Sequence, residues 1–185
     1  MPNTLFTPTR LRTALNQPWL IAIFGVSYLI SQATIICIVQ PLADDFMWLQ
    51  LTAFDAATYH EVFTKWQQQG HMDAYRAHLV FDHTHWILYA GFATTVMCAL
   101  YEKLNVNARW NWLLILPLVS GLCDWYENHM QEVFLQAADF RNIVDPLPFW
   151  STIASITKWS LAAIYVGVID GMLIRWGLRV FYAKK

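Results

Sequence analysis

Asp124 and Glu127 lie three residues apart, with Asn128 adjacent, in the stretch "GLCDWYENHM" (121–130), directly after the uncharged run "WNWLLILPLVS". Spacings of three and four place side chains on one face of a helix. Pro117, Gly121, Asp124 and Asn128 therefore form a stripe, with Glu127 beside it. A second stripe carries His78, Asp82, His85 and Tyr89 at i, i+4, i+7 and i+11, and a third carries Ser151, Ser155, Lys158, Ala162 and Tyr165. Carboxylates next to a histidine supply a proton donor and acceptor whose affinities mutual repulsion can split. In that chemistry His78 or His85 shuttles a proton with Asp82, while Asp124 and Glu127 stabilise positive charge or hold a cationic ligand. Gln32, Tyr89, Asn128, Lys158 and Tyr165 would line the pocket around these candidate catalytic residues.

The same residue types admit a metal. Asp82-x-x-His85 is half of the carboxylate-bridged motif that builds di-metal sites in helix bundles. His78, Asp124, Glu127 and His129 could supply further ligands, but the full motif needs a second Asp/Glu-x-x-His and the apolar runs carry only one. No cofactor is therefore expected; the alternative is a transition metal on His78, Asp82, His85, Asp124 and Glu127. A plainer role competes with both, in which Lys158 pairs with Asp124 or Glu127 and only fixes helix order.

The elements that must position these residues are apolar. Of 185 residues, 57% are hydrophobic and 14% charged, where a soluble domain carries about 25% charged. Four runs, about 18–40, 79–101, 109–128 and 149–174, are long enough for membrane spans of about 20 helical residues. An all-α integral membrane four-helix bundle forming a single transmembrane domain, 1–185, is expected, because an isolated span must satisfy its backbone within its own helix. The first run is longer than the apolar region of a signal peptide and reads as a retained anchor. Many tryptophans, among them Trp48, Trp66, Trp110, Trp125 and Trp176, fall at predicted interfaces as anchors.

Orientation follows from Lys and Arg. Arg10, Arg12, Lys103, Arg109, Arg175, Arg179, Lys184 and Lys185 flank one side of the four runs, against Lys65, Arg76 and Arg141 in the acidic opposite connections. Both termini are then cytoplasmic, with the acidic connections outside, as in a bacterial inner membrane. Asp170, near the basic side, is expected to meet Lys103, Arg109 or Arg175. In the first outer connection, about 46–70, Phe54, Ala57, Val62, Phe63 and Trp66 recur at helical spacing, between Asp55 as cap and Gly70 as stop. An amphipathic helix on the outer membrane surface is expected there. A helix starting near Met72 should run on into the second span.

Some functions are excluded. A net charge of −1 gives no basic footprint for nucleic acid, and no phosphate-binding glycine motif occurs. Cys37, Cys98 and Cys123 are spaced neither as a disulfide framework nor as a zinc site. Counting inward along each helix places Asp82, His85, Asp124, Glu127 and Lys158 at one depth near the outer edge, with Gln32 slightly deeper. Three function classes remain: binding, with or without acid–base transformation, of a small lipophilic molecule; a non-enzymatic accessory or assembly protein with a membrane-protein partner or a second copy of itself; and a His/carboxylate metal protein.

With Asp124, Glu127 and Asn128 as D-x-x-E-N late in the third span, the layout resembles a family of uncharacterised bacterial four-helix inner-membrane proteins. More distantly it is similar to the EXPERA families, which include the emopamil-binding sterol isomerases. That resemblance implies a bundle with an amphipathic outer connection and acids facing an interior pocket. The isomerases' His-x-x-x-Glu pair is matched in spacing by His78-x-x-x-Asp82. Where they carry Asn and Trp a turn apart on the last helix, this chain has Lys158 and Trp159, and a lysine there would repel a carbocation.

Overall fold

The computed structural model describes residues 8–137 and 139–183. Lys184 and Lys185, counted above in the basic flank, lie outside the described residues. All regular structure among the described residues is helical. The α-helices are α1 (Pro8–Leu15), α2 (Pro18–Val39), α3 (Ala43–Thr52), α4 (Ala56–Gln68), α5 (Met72–Leu104), α6 (Leu116–Gln136) and α7 (Leu147–Tyr182). Short 3₁₀ segments cover Gln40–Leu42, Ala108–Ile115 and Phe140–Asn142.

Local chemistry sets most boundaries. Proline stands in the first turn of α2, α6 and α7, where its missing N–H costs nothing. The Asp55 carboxylate accepts from the Thr58 backbone N–H at 2.8 Å and caps α4. That N–H holds the carboxyl below its usual value of 3.8. Gly70 has φ +74° and separates α4 from α5, a conformation that glycine adopts without steric penalty. Asn105, at φ 52°, ends α5.

The four expected runs become helices with altered limits. The first continues through the 3₁₀ turn into α3, so Pro18–Thr52 is nearly unbroken. The third is 3₁₀ over Ala108–Ile115 and becomes α-helix only from Leu116, reaching out to Gln136. By length and composition, Pro18–Thr52 and Leu147–Tyr182 can cross a membrane. Only 11% of the most apolar stretch of each is buried, so most of that apolar surface faces outward from the fold. The inner helices are less apolar because Asp82, His83 and His85 interrupt α5, and Asp124, Glu127, Asn128 and Gln131 interrupt α6.

Helices α5, α6 and α7 pack on one another, and α2 packs mainly on α5. The arrangement is thus three core helices with a fourth alongside. Two glycines set the α2–α5 distance. A Cβ on Gly25 would lie 2.9 Å from the Phe92 ring, and one on Gly91 would lie 2.5 Å from the Phe24 ring. Each glycine is the notch for an aromatic side chain of the other helix.

Two apolar cores lie at opposite ends. One joins Leu49, Tyr59, Phe63, Trp66, Tyr75, Leu79 and Phe134 beneath α3 and α4. The other joins Ala93, Met97, Cys98, Tyr101, Leu114 and Tyr165 at the basic end. The helix expected between Asp55 and Gly70 forms as α4, with α3 before it, and the first core shows what its apolar face meets: the inward face of α4 is Ala56, Tyr59, Val62, Phe63 and Trp66. That face covers protein, with Trp66 1% exposed, whereas Phe54 and Ala57 point outward. Phe134 and Ile143 complete the enclosure of this apolar face. Thr152 Oγ1 donates to the Ala53 carbonyl at 2.7 Å and the Asp145 carboxylate accepts from the Ala56 N–H at 3.0 Å, fastening this cap to α7 and its lead-in.

Candidate functional site: a buried charge layer between two cores

Between the two cores all three central helices turn polar at once. Ser120, Asp124, Glu127, Asn128 and Gln131 are buried on α6; His78, Asp82 and His85 on α5; Ser151, Ser155 and Lys158 on α7. Close helix approach makes this possible. A Cβ on Gly121 would stand 2.8 Å from the Trp86 ring of α5, so α6 meets α5 tightly one turn before Asp124. Ser120 Oγ donates to the Lys158 carbonyl at 3.0 Å and fixes α6 against α7.

The layer is centred on Lys158. Its Nζ lies 2.9 Å from Asp124 Oδ1 and 2.6 Å from Glu127 Oε2. Lys158 is 7% exposed, Asp124 2% and Glu127 0%, so solvent screens none of the three effectively. Asp82 faces the group from α5, beside the Asn128 side chain and within electrostatic reach of Lys158. One ammonium therefore meets three buried carboxylates. Several neighbouring polar atoms have no hydrogen-bond partner: Glu127 Oε1, Asn128 Nδ2, Ser155 Oγ and the Tyr89 hydroxyl, which points towards Ser120 and Asp124. An unpaired buried polar group costs about 1–3 kcal/mol.

The predicted convergence thus holds for Asp82, Asp124, Glu127, Asn128 and Lys158. The histidines share the stripe but look elsewhere. His78 donates from Nδ1 to the Tyr75 carbonyl, and its ring lies edge-on to Phe46 at 5.0 Å. His85 lies 2.9 Å from Ser31 Oγ and 3.1 Å from Gln32 Oε1, both on α2. Gln32 therefore belongs to the α2–α5 seam rather than to the charge centre. The alternative metal set of His78, Asp82, His85, Asp124 and Glu127 is split by these contacts. Among the described residues no three His, Cys, Asp or Glu side chains could together hold a metal ion. Tyr165 sits at the border of the layer and the basic-end core.

One part of the layer escaped the reading of spacing. Gln131 Nε2 donates to the Tyr59 hydroxyl at 2.8 Å and to Ser151 Oγ at 3.2 Å, and its carbonyl accepts from the Tyr75 hydroxyl. Gln131 therefore links α4, α5, α6 and α7 where the layer meets the cap. Burial pushes the Tyr59 phenol well above its ordinary value, so it stays a neutral donor and acceptor. The available signal was spacing, since Gln131 is i+4 from Glu127 and i+7 from Asp124.

Surface hollows occur elsewhere, one lined by Asp44, Asp45, Trp48, Glu61, Val62 and Lys65, another by Arg76, Leu79, Val80, His83, Glu132 and Leu135. Neither includes Lys158 or its acids. No family model, curated protein or solved structure gives a significant match to the chain.

Proposed function

We propose that this chain is a four-span helical membrane protein that binds a small lipophilic molecule at the Lys158 layer. Asp82, Asp124 and Glu127 form the acceptor wall, and Asn128, Tyr89 and Tyr165 border it. The observation that carries the reading is the surplus of carboxylates, three against one ammonium, together with buried polar atoms left without partners. A molecule with a cationic or multiply hydrogen-bonding head and an apolar body would satisfy both. Acid–base transformation of that molecule would rest on Asp82, the acid that makes no direct ion pair with Lys158.

The membrane part of the reading draws on the two apolar helices and on large apolar side chains that α5 and α6 also turn outward, among them Val80, Ile87, Leu118, Leu122 and Trp125. Outward apolar side chains in this number suit lipid better than water. Helix α5, 33 residues long, measures about 50 Å, against a hydrocarbon core of about 30 Å. Its excess belongs to the cap. The basic end would be cytoplasmic and the acidic cap periplasmic in a bacterial inner membrane.

The test compares lipophilic compounds extracted from the purified wild type with those from Asp82→Asn, by mass spectrometry at matched folded yield. A compound retained by the wild type and lost from the variant is the expected result. Identical extracts would sink the binding reading. An accessory role is the second reading, favoured by the outer face of α2, where Trp19, Ile23, Val26, Leu29 and Ile30 are exposed. Cross-linking from Leu29→Cys to another polypeptide in native membranes would support it.

A further inference from the structure

Every Lys or Arg on the cap and in the charge layer has a carboxylate partner. Lys65 pairs with Asp45, Arg76 with Asp73, Arg141 with Asp139, and Lys158 with Asp124 and Glu127. The opposite end is different. Among the described residues there, only Arg12 is paired, to Glu102 at 2.7 Å. Arg10, Lys103, Arg109, Arg175 and Arg179 have no carboxylate within ion-pair distance among the described residues. Asp170, expected to neutralise one of them, is exposed and makes no such pair.

These cations are held by other means. Lys103 Nζ stands 4.5 Å above the Trp176 ring, and the Arg109 guanidinium stands 5.4 Å from the Trp110 ring. Arg179 donates to the Leu104 carbonyl at 3.4 Å, which brings the end of α7 to the end of α5, with Arg175 one turn away. The aromatic faces orient the charges without neutralising them. The belt borders exposed apolar side chains, Trp112, Ile115, Leu173 and Ile174.

We propose that this end is a binding surface for anionic phospholipid headgroups, centred on Lys103, Arg175 and Arg179 with Arg109 on its flank. Guanidinium groups match phosphate oxygens in bidentate geometry. The adjoining apolar surface takes the acyl chains, which a nucleic acid or a soluble phosphorylated partner lacks. The uncompensated charge lies where such a leaflet would lie if the four-span reading is right, and the inference rests on that reading.

The experiment uses the full chain, purified in neutral detergent and mixed with equimolar phosphatidylglycerol and phosphatidylcholine, with bound lipids counted by native mass spectrometry. The expected result is a preference for phosphatidylglycerol that falls roughly fivefold for each charge removed in Lys103→Gln, Arg175→Gln and their double variant. Lys103→Arg should keep it, and so should Lys65→Gln, which removes an exposed charge on the opposite end of the molecule. Equal binding of the two lipids by the wild type would overturn the proposal, as would a preference indifferent to the glutamine variants. Displacement of lipid by inorganic phosphate beyond that by chloride at equal ionic strength would assign the surface to a soluble anion and also overturn it. Alkaline carbonate extraction of native membranes separates the two levels. Protein that stays in the pellet without a lipid preference refutes only the headgroup surface, whereas protein that washes off refutes the four-span reading.

Discussion

Lys158 Nζ lies 2.6 Å from Glu127 Oε2, yet Glu127 Oε1 is buried with no partner at all. The ion pair engages one oxygen without a well-aligned hydrogen bond, and the other oxygen has no hydrogen-bond partner. A purely structural ion pair would gain from satisfying both oxygens, because a half-satisfied buried network is worse than an apolar one.

Removing one partner separates the two roles. Lys158→Met should destabilise the protein by about 3–5 kcal/mol, because it leaves buried carboxylates unpaired. Adding Glu127→Gln or Asp124→Asn should recover folded yield. If the layer serves a ligand, yield returns in the double variant while the retained lipophile stays lost. Recovery of both would make the network a clasp and nothing more. Thermal unfolding in detergent and extract mass spectrometry read the two outcomes separately.

The orientation is open to chemical labelling. In a background without Cys37, Cys98 and Cys123, cysteines at Gln68 and Asp139 should react with an impermeant maleimide added to intact cells. A cysteine at Asn107 should react only after lysis. Labelling of Asn107 from outside would reverse the assignment of the basic end.

The paired notches of α2 and α5 give a steric test. Gly91→Leu should push the Phe24 ring, which a Cβ alone already meets at 2.5 Å, and should cost about 1–3 kcal/mol as overpacking. Phe24→Ala added to Gly91→Leu should recover part of the loss. Fluorescence of Trp19, with the other tryptophans replaced, would follow α2 alone, and an unchanged Tm in Gly91→Leu would show that the seam yields freely.

Gln131 ties the cap to the layer, so Gln131→Leu should loosen one without emptying the other. Three partners, Tyr59, Tyr75 and Ser151, lose their bond, at about 1–3 kcal/mol for each group left unsatisfied. Faster hydrogen exchange in 56–68 and 72–78, with 93–101 unchanged, is the expected pattern. Uniformly faster exchange would mean that cap and bundle unfold as one unit.

Much of this organisation is legible in the sequence, for identifiable reasons. Apolar run length located the four long helices, and side-chain capping chemistry at Asp55 and backbone freedom at Gly70 located the ends of α4. Helical spacing grouped Asp82, Asp124, Glu127 and Lys158 correctly. Spacing states which face a residue occupies, though not which helix that face meets. His85 therefore shares Asp82's stripe yet bonds to Ser31 and Gln32 of α2. The apolar face of α4 looks the same whether it meets lipid or protein; here Phe134 and Ile143 supply the covering surface. The 3₁₀ entry to α6 was hidden because its residues are as apolar as those of the helix that follows.

Chain order adds a consequence to the charge layer. Asp82 and the Asp124–Glu127 pair are synthesised on α5 and α6, and their counter-charge arrives only with α7. Until Lys158 is translated, the three acids lack the one ammonium that the folded layer gives them, and a buried charge without its partner is costly. The last helix therefore supplies the counter-charge that the earlier two lack. A fragment ending before Ser155 keeps all three acids and none of the positive charge that the folded layer sets against them.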